Sequence, residues 1–99
     1  MPKVILSGYI EVPDADLEAV LAELPRHIDL TRQEPGCLVF EVSRHEANGN
    51  RFDVYEAFED TGAFEAHQVR MRNSPWASVT ANAQRHYQVT HGDTQEPRT

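Results

Sequence analysis

Two alternating runs, residues 37–45 and 51–59, flank a short segment that contains Asn48 and Gly49. In the first run Leu38, Phe40 and Val42 share a face, opposite Cys37, Val39, Glu41 and Ser43. In the second, Phe52, Val54, Glu56 and Phe58 lie together, opposite Asp53, Tyr55 and Ala57. A period of two marks half-buried strands, and Asn-Gly takes the positive φ values of a tight reversal, with Ala47, Asn48, Gly49 and Asn50 as the turn. This block is therefore expected to be a β-hairpin. Its apolar face demands a covering layer, which restricts what the remaining residues can be.

Residues 3–12 alternate as well, with Val4, Leu6, Gly8, Ile10 and Val12 against Ile5, Ser7, Tyr9 and Glu11. Pro13 ends that strand and Asp14 is placed to cap a helix, in which Leu17, Val20, Leu21, Leu24 and Ile28 recur at three- and four-residue steps. Pro25 has no N–H for the carbonyl of Leu21, so a kink or a break into two short helices is expected there. Glu34, Pro35 and Gly36 read as a turn. Beyond the hairpin, Asp60 can cap a second helix that puts Phe64, His67, Gln68 and Met71 on one side. Ser74 as cap and Pro75 at the first helical position start a further piece, with Trp76, Val79 and Ala83 inward. Residues 86–91 form a last strand, and residues 92–99 a polar tail expected to be disordered.

The expected architecture is thus a single α+β domain over residues 1–91, a ferredoxin-like βαββαβ unit with a four-stranded antiparallel sheet and helices on one face. The other face would carry Ile5, Tyr9, Val39, Tyr55, and Val89 or its neighbours, more apolar than a solvated surface should be. A second copy packing sheet to sheet is the economical cover, so a homodimer is expected.

Charge narrows the partners. Nine Lys and Arg stand against sixteen Asp and Glu, a formal charge of -7, and the basic residues are scattered. Nucleic acid and anionic membrane surfaces both call for concentrated positive charge, so neither is expected. No apolar run approaches the roughly 20 residues that span a bilayer, and the N-terminal apolar stretch is too short for a signal peptide. The single cysteine, Cys37, cannot close an intrachain disulfide, consistent with a soluble cytoplasmic protein.

His67 is the most informative residue. It lies on the apolar side of its helix between Phe64 and Met71, and Glu56 is the one carboxylate on the sheet surface it should face. A histidine beside a carboxylate can move protons near neutral pH, although the same pair can simply satisfy a buried ring. Phe40, Phe52, Phe58, Phe64 and Trp76 supply either core or the wall of an aromatic pocket. His27, His45, His67, His86 and His91 show no metal-ligand spacing, so no metal is expected. Cys37 reads as structural. Arg26, Arg32, Arg44, Arg51, Arg70, Arg72 and Arg85 read as solvated charges, of which one or two could edge a pocket and hold an anionic substituent.

The block from Glu34, Pro35, Gly36 and Cys37 into Leu38–Val42, then Arg51-Phe52-Asp53-Val54-Tyr55-Glu56-Ala57-Phe58, then Asp60 through Phe64-Glu65-Ala66-His67, resembles the antibiotic biosynthesis monooxygenase family of dimeric α/β-barrel proteins. The resemblance covers nearly the whole chain in the family's order and spacing. It implies a homodimer whose sheets pack into a barrel, with each pocket between a subunit's own sheet and helices. It also implies oxidation of quinols or anthrones by O2 without metal or organic cofactor, the substrate's own carbanion reducing oxygen. On that reading His67 and Glu56 are the catalytic pair, and Phe40, Phe64, Met71 and Trp76 bind a small aromatic substrate. A similar relative isomerises phosphorylated breakdown products of autoinducer-2, which keeps an isomerase of a small carbonyl compound open, as well as a non-catalytic dimeric ligand-binding domain. The haem-degrading branch uses an Asn on the first strand; here Ser7 or Gly8 stands there, and His67 takes roughly the place of that branch's Trp.

Overall fold

The computed structural model describes residues 3–91. The tail expected over residues 92–99 lies outside the described residues. Seven elements follow in chain order: β1 (Val4–Glu11), α1 (Asp14–Arg32), β2 (Cys37–Arg44), β3 (Arg51–Phe58), α2 (Thr61–Arg72), α3 (Pro75–Val79) and β4 (Gln84–His91). The strands form one open antiparallel sheet in the order β2-β3-β1-β4, the ferredoxin-like arrangement, with helices on one face.

The alternation in β1 and β3 packs as expected. Val4, Leu6 and Ile10 of β1, Val12 just after it, and Phe52, Val54 and Phe58 of β3 are buried beneath the helices. Glu56 is buried on the same surface and stands opposite Leu6 in the register. In β2 the alternation fails at its start. Cys37 pairs with Phe58 and Val39 with Ala57, so Leu38 is the extra residue of a bulge and is 52 % exposed rather than sharing the buried face of Phe40. The open face of β4 is taken by the neighbours of Val89, not by Val89. Val89 stands opposite Leu6, which puts it on the helix side of β4, while His86, Gln88 and Thr90 share the open face with Tyr9, Ser7 and Ile5. On that face Tyr9 is stacked on His86 at 4.7 Å and lies under the Arg51 guanidinium at 3.9 Å, and Tyr55 is 42 % exposed.

Three local expectations give way to tertiary context. Pro25 does not break α1, which runs unbroken through it. Pro25 and Leu21 are both exposed, so the missing bond falls on the solvent side of the helix, while Val20, His27 and Thr31 hold the helix to the sheet on either side of the proline. Asp14 is not the cap: Pro13 takes that position, and Asp14 accepts a 2.8 Å bond from Asn50 in the hairpin loop. Positive φ occurs only at Gly8 and Gly36 among the described residues, so Asn48 and Gly49 do not make the mirror-image turn. The loop is longer and is held instead by His45 Nδ1, which accepts from the backbone N–H groups of Ala47 and Asn48, and by the Asn48 side chain accepting from Asn50 N. Asp60 caps α2 as expected, accepting from Ala63 N at 2.8 Å. Ser74 occupies the cap position of α3, but its hydroxyl donates back to Met71 O.

Candidate functional site

The inward stripe of α1 runs Leu17, Val20, Leu24, His27 and Thr31, alternating steps of three and four. Its first part closes over Ile10, Val12, Phe52 and Trp76 as apolar core. Its last part brings two polar residues, His27 and Thr31, under the same roof. The turn after α1 then directs Glu34 toward α2. That turn is tightly fixed, because Gly36 adopts φ +86° and a Cβ there would come within 2.6 Å of the Ala63 side chain.

His67 is 2 % exposed and has a carboxylate on either side. Its Nδ1 lies 3.0 and 3.2 Å from the two oxygens of Glu34, and its Nε2 lies 3.8 Å from Oε1 of Glu56. Arg70, one turn further along α2, donates from Nε to Glu34 and from Nη2 to the buried Thr31 hydroxyl at 2.9 Å. The His67 ring is enclosed by Phe58 at 5.0 Å, Phe40 at 5.8 Å and His27 at 6.1 Å between centroids.

A cavity of about 190 Å³ opens beside this cluster, between α2, α3 and the sheet. Trp76 and His27, stacked at 4.6 Å with 4° between their planes, form a flat wall, and Leu6 and Met71 add apolar surface. Glu56, His67 and Gln68 contribute polar atoms, and Arg85 and Tyr87 line the β4 side. Arg85 is held there by bonds to the Thr80 hydroxyl at 2.9 Å and to the Thr80 carbonyl at 3.3 Å.

Burial sets the electrostatics. Glu56 is pushed up from 4.5 to about 7, first by desolvation and then by the charge of Glu34. His27 is pulled down from 6.5 to about 3, by burial and then by His67 and Arg70, so it stays neutral. His67 is lowered mainly by burial, with Glu34 opposing. Tyr87 is 39 % exposed as a whole residue, yet desolvation at its phenol, followed by the charge of Glu56, raises its pKa. Buried Oε1 of Glu56 and Nδ1 of His27 have no hydrogen-bond partner among the described residues. A carboxyl that titrates near neutrality beside a neutral imidazole is equipped for general acid–base work.

Of the residues singled out from sequence, His67, Glu56, Met71 and Trp76 meet at this cavity. Phe40 packs behind it on His27 and His67, and Phe64 packs on Phe58 at 5.7 Å; neither lines it. The group hydrogen-bonded to His67 is Glu34, not Glu56. Arg85 is one of the arginines expected to be able to edge a pocket, and Arg70 reaches the site through Glu34; sequence reasoning passed over His27, Glu34 and Tyr87 as site residues. For His27 a signal existed, since the α1 stripe continues in register into it. Cys37 lies at a wider hollow of about 310 Å³ along the edge of β2, and burial followed by Glu34 and Glu56 pushes its thiol up, away from nucleophilic use. Among the described residues no group of three or more His, Cys, Asp or Glu is placed to hold a metal ion, and no helix is long and apolar enough to cross a membrane.

Comparison with known proteins gives a consistent frame. Residues 3–71 match the sequence model of the family described as antibiotic biosynthesis monooxygenase. Among solved structures, MupZ from Pseudomonas fluorescens is 28% identical with a TM-score of 0.75, over 97% of this chain and 76% of that one. A Nitrosomonas europaea protein provisionally named an antibiotic biosynthesis monooxygenase is 20% identical with a TM-score of 0.74, over 94% of this chain and 91% of its own. A conserved protein from Methanosarcina mazei, 14% identical, superposes with a TM-score of 0.70 over 94% of this chain and 95% of its own. No protein of curated function matches the chain.

Proposed function

The chain belongs to the antibiotic biosynthesis monooxygenase family, and from that premise we propose that the cavity beside His67 is the active site of a cofactor-independent monooxygenase acting on a small quinol- or anthrone-like substrate. The observation that carries this reading is Glu56, raised to about 7 and set beside His67 in a cavity with a flat aromatic wall. A planar substrate stacks on Trp76, and the Glu56–His67 pair takes a proton from the carbon to be oxidised. The resulting carbanion reduces O2. For an anthrone the methylene becomes a carbonyl that keeps one oxygen atom, and the other leaves as water with the two methylene hydrogens. The apolar surroundings keep water from quenching the carbanion first.

Oxygen uptake with an anthrone or a substituted quinol tests this directly, with stoichiometric oxidised product expected. One observation favours a second reading. Arg85 and Tyr87 place donors across the cavity from the acid–base pair, where an enolate oxygen would be stabilised, as an isomerase of a small carbonyl compound requires. Solvent deuterium entering a carbonyl substrate with no oxygen uptake would assign that reaction, and saturable binding without turnover would leave a ligand-binding domain.

The working unit of this proposal is a homodimer joined through the open sheet face, where Ile5, Tyr9, Val39 and Tyr55 offer the apolar surface. Light scattering is expected to give twice the chain mass, and Tyr55→Glu to shift the population toward monomer by placing a charge in the contact. A monomeric wild type would remove this part. The lone Cys37, unable to pair within the chain, supports a cytoplasmic setting.

A further inference from the structure

The two nitrogens of His67 are treated differently by the fold, and the difference assigns a role to a residue outside the cavity. Nδ1 faces both oxygens of Glu34 within hydrogen-bond distance, whereas Nε2 faces Glu56 at 3.8 Å, beyond it. We infer that Glu34 is a positioning residue that fixes His67 as the Nδ1–H tautomer, so that Nε2 is presented toward Glu56 and the cavity as a proton acceptor. This rests on the reading of the cavity as an acid–base site.

The geometry of the turn and of α2 supports it. With the Arg70 Nε–H on one oxygen, the Glu34 carboxylate offers the imidazole only lone pairs, so the ring nitrogen facing it must carry the proton. Arg70 is itself anchored on Thr31, and the turn is locked by Glu34 N donating to Thr31 O at 3.0 Å and Glu59 N donating to Gly36 O at 2.8 Å. The carboxylate is thereby held from α1 and α2 at once. Burial lowers the pKa of His67, against the pull of Glu34, and so favours the neutral ring with a single N–H to place. The charged and titratable groups packed around it are His27 from α1, Glu34 from the turn, Glu56 from β3 and Arg70 from α2, with Arg85 and Tyr87 across the cavity on β4. The alternative is a purely structural tie between the turn and α2, in which the same Nδ1–H bond has no bearing on turnover.

Long-range 15N–1H spectra of the intact wild type decide the tautomer. A proton on Nδ1 of His67 is expected, and one on Nε2 would overturn the inference. In Glu34→Gln the amide keeps the shape but lets either its oxygen or its NH2 face the ring. A mixed tautomer population is expected, along with a turnover about tenfold or more lower and an altered pH profile. A variant that only melts earlier, with the tautomer and the profile of turnover unchanged, would leave Glu34 structural and overturn the role. Should Glu34→Gln not fold, Arg70→Gln replaces it: the Nδ1–H tautomer is expected to persist because Glu34 remains, and its loss would overturn the assignment. The spectra need no substrate, so a failure of the monooxygenase reading shows in oxygen uptake alone and stays distinct from a failure here.

Discussion

The layer between the helices and the sheet has two ends built on different physics. At one, Ile10, Val12, Val20, Phe52 and Trp76 make an apolar core. At the other, the same α1 and the same β3 enclose His27, Glu34, Glu56 and His67. The apolar end gains free energy from every group it removes from water, while the polar end loses hydration that its few hydrogen bonds only partly replace. Among the described residues, two buried polar atoms without hydrogen-bond partners lie at that end, which is where natural folds concentrate function rather than stability. Trp76 belongs to both, as core on one side and cavity wall on the other.

The sharpest way to separate the ends is to damage each and read both stability and activity. Phe52 is fully buried in the apolar end, so Phe52→Ala should cost about 3–5 kcal/mol in denaturant unfolding. A loss under about 1 kcal/mol would mean that this end is not the stabilising one.

The polar end should show itself through pH. Glu56 moves from 4.5 to about 7 on folding, so the native state holds that proton more tightly than the unfolded chain. Its contribution is full below about pH 4.5 and is lost as pH rises through about 7, a swing on the order of 3 kcal/mol. His27 has the opposite sign: its pKa falls from 6.5 to about 3, so its contribution is full above 6.5 and is lost as pH drops toward 3. Urea unfolding from pH 4 to 8 should find that Glu56→Gln removes the loss on the alkaline side. A wild-type-to-variant difference that stays constant with pH would show that Glu56 does not titrate in this range.

His67→Ala should lower turnover about 10²-fold or more, with a smaller loss of stability than Phe52→Ala. Unchanged activity would reduce the His67 cluster to a structural device. Smallest of all, Asp60→Ala removes the cap of the helix that carries His67 and should cost about 1 kcal/mol without altering the chemistry. A larger effect on turnover than on stability would show that the start of α2 positions the site.

The two ends were also unequally legible. The apolar end follows from alternation in β1 and β3 and from the α1 stripe, because burial of apolar side chains is what periodicity records. Where hydrogen bonds or local backbone compete, the pattern misleads, as at the Leu38 bulge and at the hairpin loop gathered around His45. Spacing turned His67 and Glu56 inward correctly, since helix and strand periods govern polar residues too. Glu34 and Arg70 were not recoverable. Their meeting depends on how a turn at one end of α1 packs on α2, across 36 residues of sequence, and each alone looks like an ordinary surface charge. Arg85 and Tyr87 lie on β4, which is exposed throughout, so no burial pattern marks them.

The most direct measurement on the central claim is a 13C NMR titration of the glutamate carboxyls in the intact protein, with Glu56 assigned by comparison with Glu56→Gln. A Glu56 midpoint near 7 is expected, set by burial and by the neighbouring Glu34 charge. A midpoint near the ordinary 4.5 would contradict it, and with it the claim that this end of the layer holds an acid–base group poised for neutral pH.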